Sequence, residues 1–333
     1  MCGAAKNGTT MMASGDIICP ICGATQCAHI KEQPVDYEYF VRPARDFKIA
    51  SCPDCGSQFL HPRPMVEELI SFYPLDYHAY NEDHGGVAAP LVAMRAKTRA
   101  KQFRSLVERQ QIRLFDVGAG DCRHFEDMSK LDDFRFAGIE IKPEMVEAAR
   151  KRGYEVHQGT LEEMDIEPYL SGFDVVTMYQ LLEHVVDPAM VLQKALDLLV
   201  PGGYAIGQLP CLASLDARVF GRFWAGYHFP RHLQMFTPRG LESILAQTGF
   251  NGIEVKGAIH LQAGLSLQNY LVGRWGYRPS MTYGKTPIYS FLLLAVAPFC
   301  LFEYALGKGG MMNFIARKPF TKANGKDTNG GPV

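Results

Sequence analysis

The sequence predicts an α/β protein built on a parallel sheet with helices on both faces. Three observations lead there. From Gln111 onward, short β-rich apolar runs alternate with helical segments, the pattern of strands joined by helical crossovers. The first run passes straight into Gly118-Ala119-Gly120-Asp121 and then a helix, and glycines there let backbone approach a ligand at the carboxyl end of a strand. The second run ends in Glu140, at the distance from the glycine turn where an acid accepts hydrogen bonds from ribose hydroxyls.

Bulk properties narrow the class. The 333 residues suffice for one large domain with appendages. Apolar residues make up 47% and charged residues 21%, as in ordinary folded proteins. A net charge of -1 lacks the basic excess of nucleic-acid enzymes, so no nucleic-acid partner is expected. Met1 to Gly15 is small and polar, without the apolar core of an export signal, which points to the cytoplasm. Nine cysteines are too few for a disulfide scaffold, and four of them form two tight pairs.

Those pairs, Cys19-Pro-Ile-Cys22-Gly23 and Cys52-Pro-Asp-Cys55-Gly56, are two copies of one device. Each Cys-x-x-Cys turn puts two thiolates on one side of a bend, and two such knuckles close a tetrahedron around Zn2+. Four thiolates leave no open position, so the metal is expected to be structural, with Cys27, His29 and His61 as bystanders. Residues 1–63 form this module. Residues 64–110 follow as a helical linker or cap: Met65 to Tyr73 is apolar at helical spacing, Tyr73, Tyr77, His78 and Tyr80 form a packing cluster or a lid, and Pro90 to Arg109 is a charged helix.

Within the main domain, Ile112 to Val117 is the first strand, Cys122 to Lys130 a helix and Phe134 to Ile139 the second strand. A third phosphate-binding glycine and a P-loop Lys-Ser/Thr are both missing, so the site suits an adenosine without a pyrophosphate. Taken in order, Leu114-Phe-Asp-Val-Gly-Ala-Gly-Asp121, Gly138-Ile-Glu140, Phe173-Asp-Val-Val-Thr-Met-Tyr-Gln-Leu-Leu-Glu-His184, Asp187-Pro188 and Leu199-Val-Pro-Gly-Gly203 resemble successive motifs of the class I S-adenosylmethionine-dependent methyltransferases. The likeness covers roughly 111–255, with a last strand at Met311 to Arg317. The knuckles and Pro62-Arg63-Pro64 resemble a bacterial subgroup in which a zinc ribbon precedes that domain and whose members act on sugars, glycolipids or secondary metabolites.

The resemblance implies a Rossmann-like, seven-stranded methyltransferase sheet over 111–259 and 310–320, with an N-terminal zinc ribbon and a hydrophobic helical insertion before the last strand. It implies that Asp116, Gly118, Ala119, Gly120 and Asp121 border the methionine half of S-adenosylmethionine. Glu140 would hold the ribose and Ile141 border the adenine, with Thr160 and Leu161 near its amino group. Thr160 stands where many relatives carry an acid. Tyr179 and Gln180 would face the methyl donor.

Methyl transfer from a sulfonium is an in-line displacement, and a base is needed only where the acceptor must lose a proton. His184, after strand four, and His228 and His232, in the loop before the next helix, are the candidate bases, with His232 foremost. Each could instead pin its own loop. Arg231 could bind an anionic acceptor such as a phosphate or form a surface pair. Residues 260–309 carry Arg274, Arg278, Lys285 and Lys308 around the apolar Ile288 to Leu306, which holds Pro298 and Glu303. That composition predicts peripheral membrane contact at the inner face, with a buried cap or a subunit contact as alternatives. Residues 321–333 read as a disordered tail. The expected activity is methyl transfer to a small-molecule hydroxyl, amine or carbon on a sugar, lipid-linked or natural-product acceptor. RNA methylation and a non-catalytic cofactor-binding scaffold are the alternatives.

Overall fold

A computed structural model of the chain describes residues 17–73, 89–276 and 287–320. Met1 to Gly15, Tyr77, His78, Tyr80, Arg278, Lys285 and the tail from Thr321 lie outside the described residues. The chain opens with β1 (Ala28–His29), β2 (Lys48–Ser51) and β3 (Gln58–His61), then α1 (Val66–Leu69) and α2 (Ala89–Leu106). The alternating part runs β4 (Ile112–Val117), α3 (Arg123–Ser129), β5 (Phe134–Glu140), α4 (Pro143–Lys151), β6 (Glu155–Gln158), β7 (Phe173–Tyr179), α5 (Pro188–Leu198) and β8 (Leu199–Pro210). It continues with α6 (Leu215–Phe220), β9 (Gln234–Met235), α7 (Pro238–Thr248) and β10 (Asn251–Ala258). The insertion α8 (Ala263–Trp275) and α9 (Pro287–Ala305) precedes β11 (Met311–Arg317).

Seven strands form one sheet in the order β10-β11-β8-β7-β4-β5-β6. From β8 to β6 neighbouring strands are parallel, while β11 runs antiparallel to β8 and β10. The central β4 and β7 are covered on both faces, which is why they read as near-continuous apolar runs without alternation. Asp187-Pro188 starts α5, with the Asp187 carboxylate accepting from Met190 N at 3.0 Å. Thr237-Pro238 starts α7 in the same way, its hydroxyl accepting from Gly240 N at 3.0 Å. Gly138 is required by contact: a Cβ there would lie 2.7 Å from Asp116 O and 2.8 Å from the Ala119 Cβ. Its absence lets the turn after β4 settle onto β5.

The second sheet has the order β1-β2-β3-β9, so its fourth strand comes from the segment between β8 and α7. β3 pairs antiparallel with β9 through Gln58–Met235 and Phe59–Gln234. Three further links bind the knuckle segment to the same stretch. Thr237 Oγ1 donates to Cys55 O at 2.6 Å, and Arg63 donates to Leu233 O at 2.9 Å and to Gln234 Oε1 at 2.8 Å. The third is a bidentate ion pair. Arg231 Nη1 and Nη2 each lie 3.0 Å from an oxygen of Asp36, with side chains 0% and 1% exposed.

A buried guanidinium left without its carboxylate is strongly unfavourable. Asp36→Ala is therefore expected to cost about 3–5 kcal/mol in urea unfolding. A loss under about 1 kcal/mol would show that the pair is not the clamp between the two segments.

Candidate active site and cysteine cluster

A cleft of about 1420 Å³ opens over the carboxyl ends of β4, β5 and β7. Cofactor-sized ligands need roughly 300–1,000 Å³, so this volume takes a second molecule beside one. Gly118, Glu140, Ile141, Thr160, Leu161, Tyr179 and Gln180 all line it. Gly118 (φ +84°) and Ala119 both donate their N–H to Ile139 O, at 2.9 and 3.0 Å, which folds the turn back onto β5. Gly120 N and Lys142 N then donate to the two Glu140 oxygens, each at 3.0 Å. The carboxylate is thus fixed by backbone from both flanks while lining the cleft.

Other features of the wall suit an adenosine. The Thr160 hydroxyl is buried without a hydrogen-bond partner, Leu161 is buried beside it, and Ile141 is 46% exposed. An orphaned hydroxyl between apolar surfaces is a place for a polar ring edge.

The remaining expected cofactor residues lie off the wall. Asp116 is turned into the sheet, where it accepts from the Thr177 hydroxyl and lies 3.4 Å from His124 Nε2. Asp121 pairs with Arg123 at 3.1 Å and Arg152 at 3.6 Å. Ala119 is fully buried, and Gly120 acts through Glu140. These four build the turn, and Gly118 and Glu140 present it to the cleft.

Two contributors carried no motif. Helix α2, expected only as a linker or cap, places Arg95, Thr98, Arg99 and Gln102 on the cleft wall. The Arg99 guanidinium stacks 3.6 Å from the Tyr179 ring centroid. Burial pushes the Tyr179 phenol up to about 12 despite that cation. Glu38, from the chain between the knuckles, also lines the cleft. Periodicity could not have singled out either one, because both arrive through long-range packing.

The three histidines meet on one side of the cleft. His184 Nδ1 lies 3.0 Å from the Tyr73 hydroxyl and 3.2 Å from Arg231 O, and burial depresses its pKa to about 4. His232 stands edge-on to it with ring centroids 4.5 Å apart. Its Nδ1 bonds Gly226 O at 2.8 Å, and burial with the neighbouring imidazoles holds its pKa well below the usual value. His228 Nδ1 lies 3.0 Å from Glu38 Oε2. Arg231, read from sequence as an anion-binding candidate, is instead committed to Asp36 beneath this surface.

The four knuckle cysteines converge. Cys19 Sγ and Cys55 Sγ are 3.8 Å apart, Cys22 Sγ and Cys52 Sγ 3.5 Å, and all four ligand atoms lie within 4.8 Å of one another. A tetrahedron with 2.3 Å metal–sulfur bonds has edges of about 3.8 Å, so the cluster fits zinc. Both knuckles use one turn: Gly23 N donates to Cys19 O at 3.0 Å and Gly56 N to Cys52 O at 3.1 Å. His29 Nε2 and His61 Nδ1 face each other at 3.1 Å outside this group, and Cys27 Sγ donates to Ala24 O at 3.6 Å.

The family described as a methyltransferase domain matches residues 92–255. The chain is 32% identical over 141 residues to the ubiquinone biosynthesis O-methyltransferase of Xanthomonas axonopodis, a match covering 41% of this chain and 57% of that protein. It is 35% identical over 99 residues to the protein of the same name from Marinobacter nauticus, covering 28% of this chain and 41% of that one. The matches thus span 57% and 41% of these two curated relatives' lengths. Among solved structures it is similar to phosphoethanolamine N-methyltransferase 2 of Haemonchus contortus, with a TM-score of 0.46, 16% identity, and coverage of 66% of this chain and 53% of that one. Residues 92–255 thus carry a methyltransferase domain.

Glu183, adjacent to His184, is 1% exposed, and neither of its carboxylate oxygens has a hydrogen-bond partner among the described residues. Burial raises its pKa from 4.5 to about 8. The folded state therefore keeps a proton that the unfolded chain releases, so this group's stabilisation is full below pH 4.5 and is lost as pH rises through about 8. Glu183→Gln removes the titration. Its melting temperature is expected to exceed that of the native protein above pH 8 and to match it near pH 4.5. An equal difference at both pH values would rule out Glu183 as the titrating group.

Proposed function

We propose that the protein transfers the methyl group of S-adenosylmethionine to a small-molecule acceptor that sheds a proton, and that its four-cysteine cluster holds a structural zinc ion. One observation carries the reading: a single cleft is lined both by the Gly118–Glu140 turn and by three imidazoles. When bound, S-adenosylmethionine supplies an electrophilic methyl carbon on a sulfonium. Glu140 takes the ribose hydroxyls, Ile141 and Leu161 flank the adenine, and the Thr160 hydroxyl meets its polar edge. Tyr179 and Gln180 border the donor methyl, and Asp116, Ala119, Gly120 and Asp121 keep the turn in shape beneath the methionine half. The histidine wall receives the acceptor and offers a neutral imidazole for its proton. The O-methyltransferase names of the curated relatives favour a hydroxyl acceptor over an amine or a carbon.

The insertion gives a reason to expect a lipid-linked or otherwise apolar acceptor. On α9, Leu292, Val296 and Cys300 face inward, while Phe291 is 70% and Leu294 74% exposed, with Leu301 and Phe302 on the same outer side. No helix among the described residues is long and apolar enough to cross a membrane. The reading is a helix lying on the membrane surface, flanked by Arg274 and Lys308, in a protein working at the cytoplasmic face. Nothing in the charge balance of -1 favours a nucleic-acid acceptor.

Calorimetric titration with S-adenosylmethionine is expected to show micromolar binding that Glu140→Ala weakens at least ~10-fold, the scale of one charge-assisted hydrogen-bonded group. No binding by the folded native protein would sink the reading. Stripping the metal with a chelator is expected to release about one zinc per chain and to expose the amides of 17–61 to hydrogen exchange. Unchanged protection after metal loss would exclude a structural role. Cosedimentation with anionic vesicles at low salt is expected for the native chain and reduced in Leu294→Asp. A native chain left in the supernatant would remove the membrane contact.

A further inference from the structure

We propose that Glu183, His184 and His232 form a binding site for a divalent transition-metal ion, separate from the four-cysteine cluster and open to the cleft. Binding of the ion stands on these three residues alone. Its use, to receive an oxygen of the acceptor, rests on the methyl-transfer reading.

One ligand atom from each of the three residues lies within 4.8 Å of the other two. Glu183 is buried, and among the described residues neither of its oxygens has a hydrogen-bond partner. A carboxylate taken out of water calls for donors or a cation. No donor meets this one, but two imidazoles stand beside it, their rings edge-on with centroids 4.5 Å apart. His184 Nδ1 lies 3.2 Å from Arg231 O, and His232 Nδ1 lies 2.8 Å from Gly226 O. A carbonyl at Nδ1 favours the proton there and leaves Nε2 to bind a metal, the usual outer arrangement of ligating histidines. Both rings line the cleft. Arg231 bears a positive charge near them, but each of its Nη atoms lies 3.0 Å from an Asp36 oxygen, which neutralises it.

Backbone holds the three ligands together. Leu233 N donates to Glu183 O at 2.6 Å, tying the turn after β7 to the residue that follows His232. Gln234 Nε2 donates to Leu182 O at 2.5 Å and to Val185 O at 2.8 Å, bracketing Glu183 and His184. The donor set decides the class of ion. Two imidazoles and one carboxylate suit Mn2+, Fe2+ or Zn2+, and three protein ligands leave positions for water or a substrate atom. The cysteine cluster is the opposite case, four thiolates with no position left. As the ion enters, the Glu183 carboxyl releases its proton to solvent. The site then holds one carboxylate and two neutral rings around a dication. Its remaining positive charge attracts an oxygen of a hydroxyl or carboxylate on the acceptor.

Mn2+ added to the full-length protein carrying about one zinc per chain tests the site, because thiolates select zinc over manganese. The electron paramagnetic resonance signal of free Mn2+ is expected to fall by about one further ion bound per chain. Glu183→Gln, His184→Gln and His232→Gln are each expected to weaken that binding at least ~100-fold, the upper end of what outer-sphere changes alone cost. His29→Gln, in the exposed imidazole pair beside the knuckles, is expected to leave it unchanged. Near-ultraviolet circular dichroism shows which variants keep the native fold, and any one of them decides. A native protein that takes up no Mn2+, or folded variants that bind it like the native chain, overturn the proposal. Bound Mn2+ is also expected to speed water-proton relaxation, and catechol, as a probe oxygen ligand, to reduce that effect by displacing water. Relaxation indifferent to catechol overturns the acceptor's use of the ion. A protein that binds Mn2+ but not S-adenosylmethionine keeps the metal site and sinks the methyl-transfer reading.

Discussion

The buried pair between Asp36 and Arg231 is the interaction on which the histidine wall of the cleft depends. It joins two stretches 195 residues apart in the chain and is almost wholly removed from water. Buried ion pairs stabilise little on balance, because desolvating both charges offsets most of their attraction. What they provide is specificity. A bidentate guanidinium admits one orientation of its carboxylate, and Asp36 also gathers three backbone N–H groups of its own loop. The N-terminal segment therefore docks in one register, which β3–β9 pairing and Arg63 extend along the same surface.

This arrangement changes the meaning of the knuckles. Four cysteines gather a short stretch of chain that could build little core alone. Phe59 packs with core residues of the main domain, and Glu38 reaches the cleft. A structural metal ion would thus bear on the active site indirectly, by holding the loops from which Asp36 and Glu38 project. The glycine-turn side of the cleft is built on local backbone instead. Gly138 allows the turn to close onto β5, and Gly120 and Lys142 fix Glu140 in place.

The two halves of the cleft are therefore specified by different physics. The glycine-turn wall is a strand–turn–helix unit within some thirty residues, where glycine conformations and backbone hydrogen bonds suffice. The rest of the lining combines α2, the knuckle segment, the stretch after β8 and the edge of the insertion.

The order of strands and helices, the glycine turn, Glu140 and the paired cysteines were legible from residue type and spacing, because local conformational preference and short-range ligand geometry determine them. The strand Met311–Arg317 was legible even across a fifty-residue insertion, since its apolar, β-rich run stands out by itself. Tertiary structure alone decided the rest. It turned Asp116 into the sheet, committed Arg231 to Asp36, set Arg99 over Tyr179 and brought Glu38 to His228. In each case the partner lies far away in the chain, and a side chain's role depends on which distant group packing delivers within hydrogen-bond reach. Spacing along the sequence carries no record of that distance.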